Sequence, residues 1–186
     1  MEKTILHDIE ALETERLILR KLREDDILEI FEYGSNDEVT KYVSWNTYQT
    51  IEDAKVFLDH ILTQYEQGAG AFWGIEDKKS NKLIGTIDFV SWNQKHKKAE
   101  IGYILSQDYW GKGIMTEAVQ AVIKFGFKRM NLVRIEARCL VENIGSEKVM
   151  QKAGMHYEGL LRKSMFLKEI HRDIKLYAIL KEDFMS

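Results

Sequence analysis

The sequence predicts a single α/β domain of the α+β kind, with a mixed, mostly antiparallel sheet flanked by helices. Three observations carry that expectation. A chain of 186 residues suits one domain with a real core. Apolar residues recur with period two in some runs and with helical spacing in others. The resulting order is strand, two helices, three strands, helix, strand, helix, two strands, which suits a sheet covered by helices. No internal repeat or low-complexity linker divides residues 1–186.

ERLILRKL alternates polar and apolar residues and opens the fold as a strand. EDDILEIFEYG places Ile27, Leu28, Ile30 and Phe31 at helical spacing and closes on Gly34. TIEDAKVFLDHILTQYEQG is the second helix. Thr50 and Asp53 form its capping-box start, and Gly68 ends it. AFWGIED, KLIGTIDFVSW and KKAEIGYIL read as an antiparallel meander, joined by the polar turns DKKSN and NQKHK. A long helix follows, from Ile114 to Arg129, then the strand VRIEARCLV and the short helix NIGSEKVMQKAGM, stopped by Gly154. HYEGLLRKSMFLKE and HRDIKLYAIL close the chain as a hairpin. With no proline anywhere, helix ends must rest on caps and glycines.

Composition narrows the function. The apolar fraction of 45% and charged fraction of 31% are those of a globular chain, which sets aside a disordered tail. No apolar run approaches the ~18 residues of a membrane span. MEKTILHDIEALETERL is acidic, lacks a hydrophobic centre and is not read as a signal peptide. A net charge of −3 argues against broad nucleic-acid binding. The lone Cys139 excludes an internal disulfide and a cysteine-based zinc cluster, and it fits a reducing cytoplasm. His7, His60, His96, His156 and His171 are scattered without metal-ligand spacing, so no metal is expected. Glu24, Asp25, Asp26, Glu29 and Glu32 form a local acidic run, read as a solvated face or as an attractor of a cationic substrate.

The stretch YWGKGIMTEA lies where a strand hands over to a helix. Two glycines there cost backbone entropy, so they need a reason. The stretch is no Walker loop, which needs GxxxxGK[ST], and it lacks the third glycine of a dinucleotide fingerprint. It is either a plain turn or an anion seat: helix N-termini expose unpaired N–H groups and partial positive charge.

Taken together, AEIGYIL, YWGKGIMTEA, IEARCLVENIGSEKVMQKAGM, YEGLLR and RDIKLYAIL resemble the GNAT superfamily of acetyl-CoA-dependent N-acetyltransferases. More closely they resemble its RimJ/RimL-type branch, the ribosomal-protein N-terminal acetyltransferases. The likeness runs from TERLILR to the last strand. It implies a sheet splayed between the fourth strand, AEIGYIL, and the fifth, VRIEARCLV, with acetyl-CoA in the gap. The backbone edge at Tyr103, Ile104 and Leu105 would pair with pantetheine, and an N–H there would hold the thioester carbonyl. Trp110, Gly111, Lys112, Gly113, Ile114, Met115 and Thr116 would carry the pyrophosphate, with Lys112 as a mobile cation. The superfamily loop, Q/R-x-x-G-x-G/A, has Trp110 and Met115 at its first and last positions here, so backbone contacts survive and a Gln or Arg contact does not.

Many members carry N-x-x-A-x-x-x-Y, whose tyrosine protonates the departing thiolate. Asn143, Ser146 and Met150 stand at those places. Met150 cannot donate a proton. Ser146, one helical turn earlier, becomes the donor the resemblance implies, or else a small packing residue. Asn143 is read first as a pantetheine contact, with capping of its helix as the alternative, and the two roles are compatible. An amine attacks only when neutral, and a carboxylate could take its proton directly or through water. Glu100 leads, with a structural role as its alternative, and Gly102 two residues on leaves room for the amine; Asp88 and Glu158 follow. Cys139 reads as a buried strand residue. Trp45, Tyr48, Phe72, Trp73, Phe89 and Trp92 divide between acceptor-site walls and packing, and SWNTYQT is the expected substrate loop. The resemblance implies a primary amine as acceptor: a protein N-terminus first, then a polyamine or antibiotic amine. A module that holds acetyl-CoA without turning it over is the non-catalytic alternative. The resemblance also suggests a homodimer.

Overall fold

Leu17 and Leu19 point to the same side of an opening strand and are fully buried. That alternation sets the frame of the computed structural model, which describes residues 9–185. The segment MEKTILHD, including His7, lies outside the described residues. Strands β1 (Leu12–Glu13) and β2 (Leu17–Arg20) lead through a turn of 3-10 helix (Glu24–Asp26) to α1 (Ile27–Gly34), the short α2 (Asp37–Thr40) and α3 (Ile51–Glu66). The meander is β3 (Phe72–Asp77), β4 (Lys82–Asn93) and β5 (Lys98–Leu105). Helix α4 (Ile114–Lys128), β6 (Arg134–Leu140), α5 (Ile144–Lys152), β7 (His156–Leu167), β8 (Ile170–Leu180) and α6 (Lys181–Met185) complete the fold.

One eight-stranded sheet runs β1-β2-β3-β4-β5-β6-β8-β7. Only β5 and β6 pair in parallel, and only from Lys98↔Arg134 to Ile101↔Ala137. Beyond that point the sheet parts. Gly102–Leu105 stay bonded to β4 on one side, and Arg138–Leu140 to β8 on the other. The expected splay between AEIGYIL and VRIEARCLV is therefore present. Those strands are β5 and β6 here because Leu12–Glu13 adds a two-residue strand the alternation did not reveal.

Strand alternation sends neighbouring residues to opposite layers. Trp73, Ile87, Ile101 and Ile135 join Val119, Val122 and Met150 in a core beneath α4 and α5. Phe72 and Leu83 join Leu22, Ile30, Leu58 and Ile61 beneath α1 and α3. Each such fully buried aliphatic side chain contributes on the order of 1.5–3 kcal/mol. The side of β6 opposite α5 carries Arg134, Glu136 and Arg138 instead.

The acidic run is only partly a solvated face. Asp26 turns inward, where its carboxylate accepts from Arg20 Nη1 and Nη2 at 2.8 and 2.7 Å and from the Arg23 N–H at 2.7 Å. A two-pronged arginine contact plus a backbone donor outweighs hydration at that site. Leu28, at helical spacing but 64% exposed, lies outside the core. The Thr50–Asp53 capping box forms as the sequence indicates.

Candidate active site

The loop between β5 and α4 is pinned at its start. Trp110 Nε1 donates to the Leu105 carbonyl, the last residue of β5, at 2.8 Å. Gly111 and Gly113 have φ of 73° and 74°, in the left-handed region where glycine alone is unstrained. Gly113 is the N-cap of α4 and offers no side-chain cap. The first amides of that helix, at Ile114, Met115 and Thr116, have no intrahelical acceptor, so they face an incoming anion with the helix dipole behind them.

Lys112 is less mobile than the sequence suggests. Its Nζ donates to the Asp108 carbonyl at 2.6 Å, and it lies over the Tyr109 ring. A cation the sequence reading missed sits nearby. Arg16 donates from Nη1 to the Lys112 carbonyl at 2.8 Å and from Nε to Glu117 at 2.6 Å. Glu117 also accepts from Thr14 Oγ1 and the Arg16 N–H. Burial of Glu117 raises its pKa, but these bonds outweigh it and hold the carboxyl below the usual range. Arg16 and Lys152 flank a cleft of ≈ 340 Å³ that reaches Gly113, Thr116 and Gln120. Only the position of Arg16 at the head of a strand hinted at this, since β2 enters beside α4.

In the gap between β5 and β6, Tyr103 and Ser146 meet. Their hydroxyls lie 2.8 Å apart, and Tyr103 Oη also donates to the Ser146 carbonyl at 3.2 Å. Burial raises the phenol well above its ordinary value, so it is protonated at neutral pH. Sequence reasoning assigned Tyr103 only a backbone role; its register on β5 and that of Ser146 on α5 carry no signal that they touch. Asn143 caps α5, its Oδ1 accepting from the Ser146 N–H at 3.1 Å. Met150 is fully buried in the helix-side core and turned away from any proton transfer. Cys139 is buried on β6, and desolvation pushes its thiol up to about 11.

The opposite face of β5 carries Glu100 and Gly102. Glu100 lies 3.4 Å from Arg138 Nε. Burial raises its pKa, against the pull of Arg138. Gly102 leaves no open room: a Cβ there would lie 2.5 Å from Val90 Cγ1, a residue pushed out at the β4 bulge. The same Cβ would lie 3.5 Å from Asp88 Oδ1. Asp88 stands directly opposite Gly102 in the ladder, and no hydrogen bond or ion pair reaches its carboxylate among the described residues. Desolvation pushes it up to about 7. Glu158 does not join this group. It is on β7, two strands beyond β6, and hydrogen bonds from Arg134 hold its carboxyl below the usual range.

Phe72, Trp73 and Phe89 are core residues, and Trp92 packs against the helix-side cluster. Trp45 and Tyr48 stack at 4.7 Å within SWNTYQT. Tyr42, just before that segment, packs on Leu140, the last residue of β6, with Leu167 and Ile174 of the closing hairpin. Lys168 Nζ, in the hairpin turn, donates to the Thr40 carbonyl at 2.8 Å. The stretch just before the substrate-loop candidate thus meets the closing hairpin beside Leu140 of β6. Among the described residues no cluster of three His, Cys, Asp or Glu suits a metal ion, and no helix is long and apolar enough to cross a membrane.

Comparison with known proteins gives the arrangement its context. The family described as acetyltransferase (GNAT) domain matches residues 16–156. The uncharacterized N-acetyltransferase YoaA of Bacillus subtilis (strain 168) is 38% identical over 91% of this chain and 96% of its own. The ribosomal-protein-serine acetyltransferase of Escherichia coli (strain K12) is 31% identical over 73% of this chain and 75% of its own. Among solved structures, an acetyltransferase (GNAT family) from Bacillus anthracis superposes with a TM-score of 0.83 at 35% identity, covering 93% of this chain and 99% of that one.

Proposed function

The chain belongs to the GNAT acetyltransferase family, and from that premise we propose that it transfers acetyl from acetyl-CoA to the N-terminal α-amine of a protein. The observation that carries the reading is the parted β5–β6 rim lying next to an uncapped helix start. An extended thioester carrier completes the free edge of β5 as an added strand does. Its pyrophosphate takes the amides of Gly111 to Thr116, and Arg16 and Lys152 supply positive charge beside them. The similarity to the E. coli ribosomal-protein-serine acetyltransferase favours a protein terminus as acceptor. So does chemistry: a chain-terminal amine with pKa of about 8 is neutral roughly one time in ten at pH 7, a lysine-like amine far more rarely.

In this reading the neutral amine attacks the thioester carbon and forms a tetrahedral oxyanion, held by a backbone N–H of β5 near Ile104. The C–S bond then breaks. Ser146 Oγ gives its proton to the thiolate, and the Tyr103 hydroxyl, 2.8 Å away, keeps it oriented. A carboxylate on the other face removes the amine's proton. No covalent enzyme intermediate is needed.

The test is thiol release from acetyl-CoA with a panel of short peptides, spermidine and aminoglycosides, followed by mass spectrometry of the products. Acetylation confined to peptide α-amines supports the reading. Transfer to small amines alone overturns the choice of acceptor, and coenzyme binding without any thiol release overturns the activity.

A further inference from the structure

Two carboxylates share the acceptor face of β5 and β4, and they are not equivalent. Glu100 faces Arg138 at 3.4 Å and has Glu136 and Lys98 as near charges. Among the described residues no counter-charge is paired with Asp88. Its strand neighbours on that face are Phe72 of β3 and Gly102 of β5. Among the described residues the Tyr65 phenol of α3 is the titratable group that feels its charge, with Lys21 Nζ 5.5 Å over the Tyr65 ring, and Glu100 stands two residues along β5. Tyr65 is already engaged, donating to the Phe72 carbonyl and accepting from the Leu22 N–H. Asp88 is half-buried rather than sealed off, and a carboxylate placed there without a partner is costly to keep ionised unless an incoming group supplies the missing charge. Its position is specific too: Gly102 is the first residue of β5 beyond the last β5–β6 pair, so Asp88 borders the opening where the thioester would lie.

Resting on the acetyl-transfer reading above, we infer that Asp88 is the catalytic base: it draws in the acceptor's ammonium group and takes its proton, while Glu100 holds Arg138 in place. The ammonium gives one proton to Asp88, which passes it to solvent. The freed lone pair forms the N–C bond, the C–S bond breaks, and the thiolate leaves with the proton from Ser146. Re-protonation of Ser146 by the second amine proton closes the balance, so one coenzyme thiol and one solvent proton appear for each amide.

The fit to the acceptor follows. Burial raises the pKa of the Asp88 carboxyl toward neutral pH, so it takes a proton from a terminal ammonium much more readily than from a lysine-like ammonium, whose pKa is higher by about two units. Asp88 is matched to an α-amine. Val90, bulged over Gly102, then walls the amine's approach where a larger β5 side chain would stand.

The experiment measures kcat against pH for the wild type, Asp88→Asn and Glu100→Gln with two peptides whose α-amines differ in pKa. The wild type should show an acid limb near 7 that stays put when the peptide changes. Asp88→Asn should lower kcat about 100-fold and erase that limb, while Glu100→Gln keeps it. An Asp88→Asn enzyme within threefold of wild type, or a limb lost in Glu100→Gln, overturns the assignment. Carbon-13 carboxyl titration of the coenzyme-bound wild type covers a variant that fails to fold. A resonance assigned to Asp88 titrating near 7 supports the inference, and one near 4 overturns it. If the wild type transfers acetyl to no amine, the acetyl-transfer reading fails first; if it transfers and Asp88→Asn is unimpaired, only this inference fails.

Discussion

The two helices beside the split begin in opposite ways. Helix α5 closes its own N-terminus, with Asn143 Oδ1 accepting from the Ser146 N–H. Helix α4 starts on Gly113 with no side-chain cap. A missing cap costs about 1 kcal/mol, and two left-handed glycines add backbone entropy to that. A fold that caps α3 and α5 with side chains could have capped α4 as well. The open start of α4 is where an anionic ligand would take the place of a cap. Asn143 Oδ1 caps its helix, and its amide nitrogen and second oxygen lone pair stay available to pantetheine.

Closing the open end should have the largest effect. Gly113→Val forces a β-branched residue to φ of 74° and puts a side chain over the first amides of α4. Coenzyme affinity should fall by about 100-fold, read by calorimetry, which corresponds to roughly 2.7 kcal/mol. Unchanged affinity would mean that the phosphates sit elsewhere. Ser146→Ala touches the capped helix instead. It should slow kcat by roughly 10- to 100-fold and change coenzyme affinity less than threefold. Equal turnover of the two enzymes would remove Ser146 and its Tyr103 partner from the proton path.

Much of this was legible in the sequence because period-two and helical patterns are local. The strand order, the Thr50–Asp53 box and the glycine turn all follow from neighbours in the chain. The splay came from family likeness, since no spacing reveals where a sheet parts. What stayed hidden is long-range. Arg16 and Glu117 are distant in sequence yet bonded at 2.6 Å. Tyr103 and Ser146 meet only because β5 and α5 are adjacent across the gap. The sequence does not show that Arg138 pairs with Glu100 while, among the described residues, no charge pairs with Asp88.

Asn143→Ala opens the start of α5 that the side chain now closes. Removing the cap should lower stability by about 1 kcal/mol in urea unfolding, with coenzyme affinity nearly unchanged. A loss of affinity larger than tenfold with intact stability would return Asn143 to the ligand.

The smallest expected effect concerns the acids in the first turns, Glu117 on α4 and Glu147 on α5. Both carboxyls are held below the usual range. Thr14 and Arg16 hold Glu117 against its desolvation, while Lys175 and Tyr177 hold Glu147. A depressed folded pKa means that the unfolded chain binds the proton more readily. The stabilisation is therefore complete above the unfolded value and fades as pH falls through the folded one. Arg16 is 43% exposed, so screening limits the Glu117 contribution to about 0.5 kcal/mol. Glu117→Gln should thus be slightly less stable than wild type at pH 7, and the gap should close below about pH 4. Because Arg16 also braces the Lys112 carbonyl, Glu117→Gln should weaken coenzyme binding about two- to threefold, whereas Glu147→Gln should not. Equal coenzyme affinities in the two variants would show that the brace behind the open helix does nothing for the ligand in front of it.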